Sequence, residues 1–403
     1  MSKNKKDLKF ASIAAQDNPD TEGYTHPHTA PLYLSSTYIY ESPEKAQAVF
    51  KGKEKAYIYS RWSHPNAELV ERKIEQMETF SSDMKCRALL FSSGMAAISA
   101  LLQSLIRPGD SLIVQGNIYG TTVDYINHVV QQFGLKVYYE DFKNYAKIEA
   151  ILKRDKKVKL LYAETPSNPT INCYDLKTLA SLAHKYKTKI AVDNTFASPY
   201  LQRPLEYGVD FVIHSSTKYL NGHGSGLSGL LVGSDLGFMD KEAWTIRKLH
   251  GSICSPFDAW MLNMGMKTLS IRMQQHCANA MRVATWLQAH KAISKVNYLG
   301  LPSHRDHALA KKQMKDYGGV LSFEMKQGYK AGETLMKRLK LCKLTASLGT
   351  TDTLIQHPAS MSHYFVPREQ REKFGITDGL VRLSVGIEDV QDIIDDLSQA
   401  LKK

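Results

Sequence analysis

With 403 residues, 43% of them hydrophobic and 23% charged, the chain is long enough for two or three domains and has the composition of an ordinary soluble globular protein. The 52 Lys and Arg against 40 Asp and Glu leave a net charge of +12, but the excess is spread along the chain, which weighs against a nucleic-acid or membrane-surface partner. No run approaches the roughly 18 apolar residues of a membrane span, and the basic stretch Met1–Phe10 lacks the apolar core of a secretory signal.

The densest basic cluster, Lys3, Lys5, Lys6 and Lys9, reads as a solvated tail. Residues 1–65 are rich in Thr, Pro, Tyr and Ser and show little periodicity, with one short helix expected around Glu44–Lys51. An arm that cannot bury itself favours packing on a neighbouring subunit. His26 and His28 flank a proline in this arm and read as loop residues, so no metal site is expected. The five cysteines (Cys86, Cys173, Cys254, Cys277, Cys342) are odd in number and scattered, with no CxxC pair. That disfavours a disulfide framework or zinc site and fits a reducing cytoplasm.

From 66 to 262 strand and helix signals alternate. Strands are expected at Ala88–Phe91, Ser111–Val114, Lys159–Ala163, Ile190–Val192 and Phe211–Ile213. Between them, Leu176, Leu179, Ala180 and Ala183 form one helical stripe. This alternation predicts an α/β domain with a mostly parallel sheet flanked by helices. From 263 to 403 the pattern changes to a long helix (Ile271–Ala289), short strands (Val320–Phe323, Val381–Val385) and a closing helix (Val390–Leu401), a smaller α+β domain.

In an open α/β sheet the ligand sits beyond the carboxyl ends of the strands, and the unusual polar residues of this chain fall there. After Phe91 comes Ser92-Ser93-Gly94-Met95, opening a helix whose free N–H groups suit a phosphate. No GxxxxGK[ST] is present, which disfavours a nucleotide-triphosphate loop. After Val114 comes Asn117-Ile118-Tyr119, where Tyr119 is either a stacking and acid–base residue or an ordinary rim tyrosine. The turn Glu164-Thr165-Pro166-Ser167-Asn168-Pro169 turns Asn168 to the same crevice. Asp193, directly after a buried strand, is costly unless paired, with a helix N-cap as the plainer alternative. After Ile213 come His214-Ser215-Ser216-Thr217-Lys218. A desolvated Lys218 becomes a nucleophilic amine, whereas a single lysine is more often a snorkelling surface residue. As a set, an anion cradle, a stacking ring, a buried carboxylate, hydroxyls and a strand-end amine are the parts that hold pyridoxal phosphate.

These motifs, running from Thr29-Ala30-Pro31-Leu32-Tyr33 to Arg382-Leu383-Ser384-Val385-Gly386, resemble the Cys/Met-metabolism (trans-sulfuration) family of pyridoxal-phosphate enzymes over nearly the whole chain. The resemblance implies a fold-type I enzyme, a homotetramer of dimers that share active sites. It makes Lys218 the cofactor lysine and Asp193 the partner of the pyridine nitrogen, and it stacks Tyr119 on the ring. Gly94, Met95, Ser215 and Thr217 would hold the phosphate, with Tyr59 and Arg61 reaching it from a neighbouring subunit. Arg382, Ser347 and Asn168 would bind the substrate α-carboxylate; a salt-bridged surface arginine is the alternative for Arg382. Lys218 would shuttle protons, and Tyr119 would protonate a thiol leaving from the γ-carbon.

Within the family the chain is a mosaic. Ile355-Gln356-His357-Pro358-Ala359-Ser360-Met361-Ser362-His363 and Tyr119 are similar to methionine γ-lyases, although those usually carry cysteine at the place of Thr121. Gly222-His223-Gly224-Ser225-Gly226-Leu227 and Leu299-Gly300-Leu301-Pro302-Ser303-His304 are closer to O-succinylhomoserine sulfhydrylases. Ala346 stands where cystathionine-specific enzymes place glutamate, and His64 with Asn66 replaces a common Asn-Pro-Thr. The reading that results is a γ-carbon enzyme, with L-methionine γ-lyase ahead of O-succinyl- or O-acetylhomoserine sulfhydrylase, and cystathionine γ-synthase or γ-lyase after these. An inactive copy of the fold serving as a scaffold is the alternative of a different class.

Overall fold

The computed structural model describes residues 8–17, 27–362, 364 and 368–402. Lys3, Lys5, Lys6, His26 and His363 lie outside the described residues. Two sheets organise the chain. The larger has seven strands: β1 (Arg87–Phe91), β2 (Ser111–Gln115), β3 (Lys136–Glu140), β4 (Val158–Glu164), β5 (Lys189–Asp193), β6 (Phe211–His214) and β7 (Gly229–Gly233). Their spatial order is β1-β7-β6-β5-β4-β2-β3. Strands β6, β5, β4, β2 and β3 run parallel, and β7 is antiparallel to both its neighbours. The expected mostly parallel sheet flanked by helices is present, with each strand foreseen from the apolar runs in place.

Those runs have no polar alternation because both faces of the sheet are covered. Ile113, Leu161, Ile190, Val192 and Val212 enter one core, and Leu112, Val114, Leu160, Tyr162, Phe211 and Ile213 enter the other. Each such apolar side chain contributes about 1.5–3 kcal/mol on burial. The helix Leu176–Lys185 lays its stripe Leu176, Leu179, Ala180 and Ala183 on the first of these cores. Two strands of this sheet were not expected from the sequence. The edge strand β3 mixes Lys136, Tyr138, Tyr139 and Glu140 and is only half-buried, so it has no continuous apolar run. The strand β7 is three apolar residues between glycines, and the glycine is forced: a Cβ at Gly229 would lie 2.1 Å from the Ser93 carbonyl oxygen.

The second sheet has order β10-β11-β12-β9-β8, built from β8 (Ile293–Asn297), β9 (Val320–Met325), β10 (Lys343–Leu344), β11 (Leu354–Gln356) and β12 (Leu380–Ser384). The helix Leu269–Ala289 leads into it from the large-sheet region, and Val390–Ala400 closes the chain. Ile355, Leu383 and Leu321 pair in register and point into its own core. One residue along, Gln356, Arg382, Ser322 and Asn297 pair in register and therefore project from the opposite face. This period of two is what presents Arg382 on the other side of its sheet.

In the arm, the helix Pro43–Phe50 falls where one was expected. This segment is tied to the rest of the chain through Asn66 and His64. Asn66 donates to the Pro31 carbonyl at 2.8 Å and accepts from the Tyr33 N–H at 3.0 Å. His64 caps the helix Pro65–Glu78, accepting from the Ala67 N–H at 3.1 Å, with its other ring nitrogen 2.9 Å from the Cys254 carbonyl.

Candidate active site

Successive strands of the large sheet end in chemistry: β4 at Glu164, β5 at Asp193 and β6 at His214, four residues before Lys218. The main chain folds back at once after β6, with the Lys218 N–H donating to the Ser215 carbonyl at 3.1 Å. Arg272, itself buried, donates to the carbonyls of Tyr219, Leu220 and Gly265 and fastens the loop that follows. Lys218 thus points inward. Its amine donates to the Ser347 hydroxyl at 3.0 Å. Burial, aided by the nearby Arg382 charge, pulls its pKa down to about 8. The snorkelling surface lysine is thereby excluded.

Arg382 reaches the same place from the second sheet. One guanidinium nitrogen donates to the Ser347 carbonyl at 2.5 Å and another to the Asn168 side-chain oxygen at 3.2 Å. It is 2% exposed and contacts an amide oxygen and a carbonyl instead of a carboxylate, so it is no surface salt bridge. Its Nε has no partner among the described residues, and burial lowers its pKa to about 10. Two basic groups that share one serine in a desolvated space favour either the neutral amine or an anion beside them. The planar fork of a guanidinium is suited in charge and geometry to a carboxylate.

Asp193 closes β5 and is buried. Its carboxylate accepts the Thr195 N–H at 3.0 Å, a local turn and not a helix cap. Burial raises its pKa, while the Thr195 hydrogen bonds and the His214 charge oppose the rise. Among the described residues no Lys or Arg pairs with it, which leaves it available to a cationic ring nitrogen. Glu164, its neighbour in register on β4, reads from the sequence only as the start of a turn. Its two carboxylate oxygens accept the main-chain N–H of Tyr119 at 2.9 Å and of Asn168 at 2.6 Å. Burial and the adjacent Asp193 drive its pKa well above the ordinary carboxylate range. The signal for it was the one used for Asp193, a carboxylate directly after a buried apolar strand. Tyr119 precedes the helix Gly120–Tyr125, its side chain 45% exposed to the space in front of the strand ends.

The anion cradle stands at the start of the helix Gly94–Leu105. The Ser93 hydroxyl caps the Ala96 N–H at 3.1 Å, which leaves the N–H groups of Gly94 and Met95 without intrahelical acceptors. A Cβ on Gly94 would sit 2.8 Å from Ser215 Cβ, so glycine alone lets this helix end close on the Ser215–Thr217 loop. The Thr217 hydroxyl faces the Ser228 main chain, donating to its carbonyl at 3.2 Å and accepting from its N–H at 3.2 Å. To serve a phosphate it must turn its hydrogen away from Ser228. Tyr59 and Arg61 are not joined to this cluster by any hydrogen bond among the described residues. Arg61 donates to the Lys248 carbonyl at 2.5 Å and stacks over Tyr59 at 5.4 Å.

The donor set fits pyridoxal phosphate: a lone buried carboxylate, a depressed amine and a helix end that tolerates no side chain. A separate polar cavity of about 800 Å³ lies between the two sheets, lined by Asn117, Asn297 and their neighbours, but not by Lys218, Asp193 or Arg382. Among the described residues no cluster of His, Cys, Asp and Glu could hold a metal ion, and no helix is long and apolar enough to cross a membrane.

This fold and cofactor chemistry are those of a fold-type I pyridoxal-phosphate enzyme. Over residues 11–402 the chain matches the model of the Cys/Met metabolism PLP-dependent enzymes, and it belongs to that family. It is 44% identical, over 93% of both chains, to an L-methionine gamma-lyase of Fusobacterium nucleatum subsp. polymorphum. It is 37% identical to an O-succinylhomoserine sulfhydrylase of Pseudomonas aeruginosa, over 93% of this chain and 91% of that one. The crystal structure of metB from Corynebacterium glutamicum superposes with a TM-score of 0.90 at 35% identity, covering 99% of each chain.

Proposed function

We propose that the protein is an L-methionine γ-lyase: methionine and water give methanethiol, 2-oxobutanoate and ammonia. The observation that carries this reading is the junction of Lys218 and Arg382 on Ser347. It sets a low-pKa amine beside a carboxylate clamp, at the ends of strands that also supply Asp193. The 44% identity to a lyase of that name supports the choice of substrate. So does Ala346, which brings no charge toward the distal amine that cystathionine would carry.

Pyridoxal phosphate, when bound, supplies an aldehyde for the amino group and an electron-accepting ring that stabilises negative charge at the α-carbon. Gly94 and Met95 N–H groups with the Ser215 and Thr217 hydroxyls would hold its phosphate, joined by Tyr59 and Arg61 of a neighbouring copy. Asp193 would pair its ring nitrogen, and Tyr119 would stack on the ring. Arg382 and Asn168, together with Ser347, hold the substrate α-carboxylate and so fix the α-carbon. Lys218, partly neutral near physiological pH, accepts a proton there and returns one farther along the chain. Tyr119 gives a proton to the departing sulfur.

We read residues 1–65 as an arm, 66–262 as the cofactor domain and 263–403 as the C-terminal domain. The placement of one sheet within 87–233 and the other within 293–384 supports that division. The arm leaves Ile39 fully exposed and Leu34 73% exposed, which supports a homotetramer of dimers with shared sites. Five free cysteines support a cytoplasmic location. The second reading, O-succinyl- or O-acetylhomoserine sulfhydrylase, is favoured by the Gly222–Leu227 loop and the Pseudomonas aeruginosa relative. Assays for 2-oxobutanoate from methionine alone, and for homocysteine from the homoserine esters plus sulfide, separate the two. Ester-dependent homocysteine without ketoacid from methionine overturns the lyase.

A further inference from the structure

We propose that Glu164 is a positioning residue that sets Tyr119 in register with the Asn168–Arg382 carboxylate clamp. The proposal rests on the site reading above and adds a residue to it. Glu164 ends β4, is 4% exposed and makes no ion pair among the described residues. A buried, unpaired carboxylate is expensive, and an apolar or amide side chain would cost less there. What it does instead is accept two main-chain N–H groups, Tyr119 at 2.9 Å on one oxygen and Asn168 at 2.6 Å on the other.

These two donors belong to different loops. Tyr119 follows β2 and Asn168 follows β4, and each loop carries a different part of the chemistry. The Asn168 side chain continues to Arg382 at 3.2 Å. Glu164 is itself anchored, its own N–H donating to the Gln115 side chain at 3.1 Å, and its strand position is in register with Asp193. One carboxylate therefore fixes the spacing between the aromatic acid and the carboxylate clamp. A carboxyl group suits that site because it sets one oxygen against each N–H, whereas an amide offers one acceptor oxygen and would set an NH2 against the second. The hydrogen bonds of the Glu164 carboxyl group among the described residues are to main-chain amides, so its part is placement and not proton transfer.

Holoenzyme of the parent, Glu164→Gln and Glu164→Ala is compared for kcat and KM with methionine, visible circular dichroism of the bound cofactor, and thermal melting. Loss of register of about 1 Å is expected to lower kcat/KM about a hundredfold in Glu164→Ala, with KM raised and the visible dichroism altered together. Glu164→Gln, which keeps one acceptor, falls between parent and alanine variant. If the alanine variant does not fold, the glutamine variant decides alone. Folded variants with kcat and KM within about twofold of parent overturn the proposal. So does a raised KM with unchanged visible dichroism, since Glu164 would then serve the clamp without Tyr119. Tyr119→Phe and Arg382→Ala run alongside: parent-like behaviour of both would remove the site reading itself, and the proposal with it.

Discussion

Lys218 and Arg382 come from opposite ends of the architecture and meet on one residue, the amine on the Ser347 hydroxyl at 3.0 Å and the guanidinium on the Ser347 carbonyl at 2.5 Å. Ser347 lies in the loop between β10 and β11, so the site exists only where the second sheet docks against the strand ends of the first. Burial, with the Arg382 charge beside it, explains the low pKa of Lys218, and the two basic groups together suit an anionic guest.

Replacing Lys218 tests the centre of this arrangement. Lys218→Ala should lower methionine turnover by about a thousandfold or more, since it removes both the attachment point and the proton shuttle. Borohydride reduction of the parent followed by peptide mass mapping should find a pyridoxyl adduct on Lys218. An adduct on another lysine, or none in a saturated parent, contradicts the assignment.

The depressed pKa of Lys218 has a definite sign in stability. An unfolded lysine titrates near 10.5 and the folded one near 8, so the unfolded chain binds more protons between these values. Below about pH 8 both states are protonated and the burial penalty is complete; it fades as pH rises toward the unfolded value. The melting-temperature advantage of cofactor-free Lys218→Met over the parent should therefore be largest below pH 8 and shrink above it. Amine-directed labelling of Lys218 in the cofactor-free parent should show a midpoint near 8. A midpoint at the ordinary lysine value would refute the environment described.

Arg382→Lys should not rescue the clamp. A lysine keeps the charge but loses the fork that spans Ser347 and Asn168. An increase of about tenfold to a hundredfold in KM for methionine is expected, from the loss of about 1.5–3 kcal/mol of charged hydrogen bonding. Binding of an unreactive amino acid, followed by spectral titration, should weaken by a similar factor. Unchanged KM and titration would remove Arg382 from substrate binding.

Sequence and structure agree where one local signal suffices. Phe211–Ile213 and Ile190–Val192 are apolar because both faces of the sheet are covered, and that is visible in three consecutive letters each. Lys218 and Asp193 could be picked out because a charge follows directly on such a run. Glu164 follows one too, but its partners are the main-chain N–H groups of Tyr119 and Asn168, and main-chain partners leave no trace in side-chain identity. The strands β10 and β11 are only two and three residues long, and β8 sets Ser294, Lys295 and Asn297 among its apolar residues, so none of the three shows a continuous apolar run. The same holds for Arg272, whose three carbonyl partners are set by tertiary packing.

Asn66 illustrates a departure from the family pattern that turns out to be an anchor. Its amide bridges the Pro31 carbonyl and the Tyr33 N–H, fixing the start of the arm against the helix Pro65–Glu78. Asn66→Ala should cost about 1–3 kcal/mol, because it strips two hydrogen bonds from a residue that is 2% exposed. The arm should become more accessible to protease near Pro31 while the melting temperature falls. If arm and assembly are linked as proposed, light scattering should also show a shift toward smaller species on dilution.

The most severe stability effect is expected at a pair remote from the chemistry. Arg247 is fully buried and donates to Glu71 at 2.5 Å, to the Leu90 carbonyl at 3.1 Å and to the Trp62 carbonyl at 3.1 Å. Glu71 in turn accepts the Leu90 N–H at 2.9 Å, so the pair clamps both main-chain groups of one β1 residue. Removing Arg247 leaves buried Glu71 only the more distant Arg87 at 3.4 Å, and removing Glu71 leaves the Arg247 charge facing main-chain carbonyls alone. Arg247→Ala should therefore destabilise by about 3–5 kcal/mol, and Glu71→Gln by less because the amide still accepts one bond. Replacing both by apolar residues of similar volume should recover part of the loss, whereas a sum of the single effects would show that the two act independently. Because β1 leads directly into Ser93 and Gly94, cofactor affinity should fall in step with stability in the single variants, read by titrating cofactor fluorescence on the still-folded protein. A stability loss with unchanged affinity would mean that the helix end holds its position without the β1 clamp.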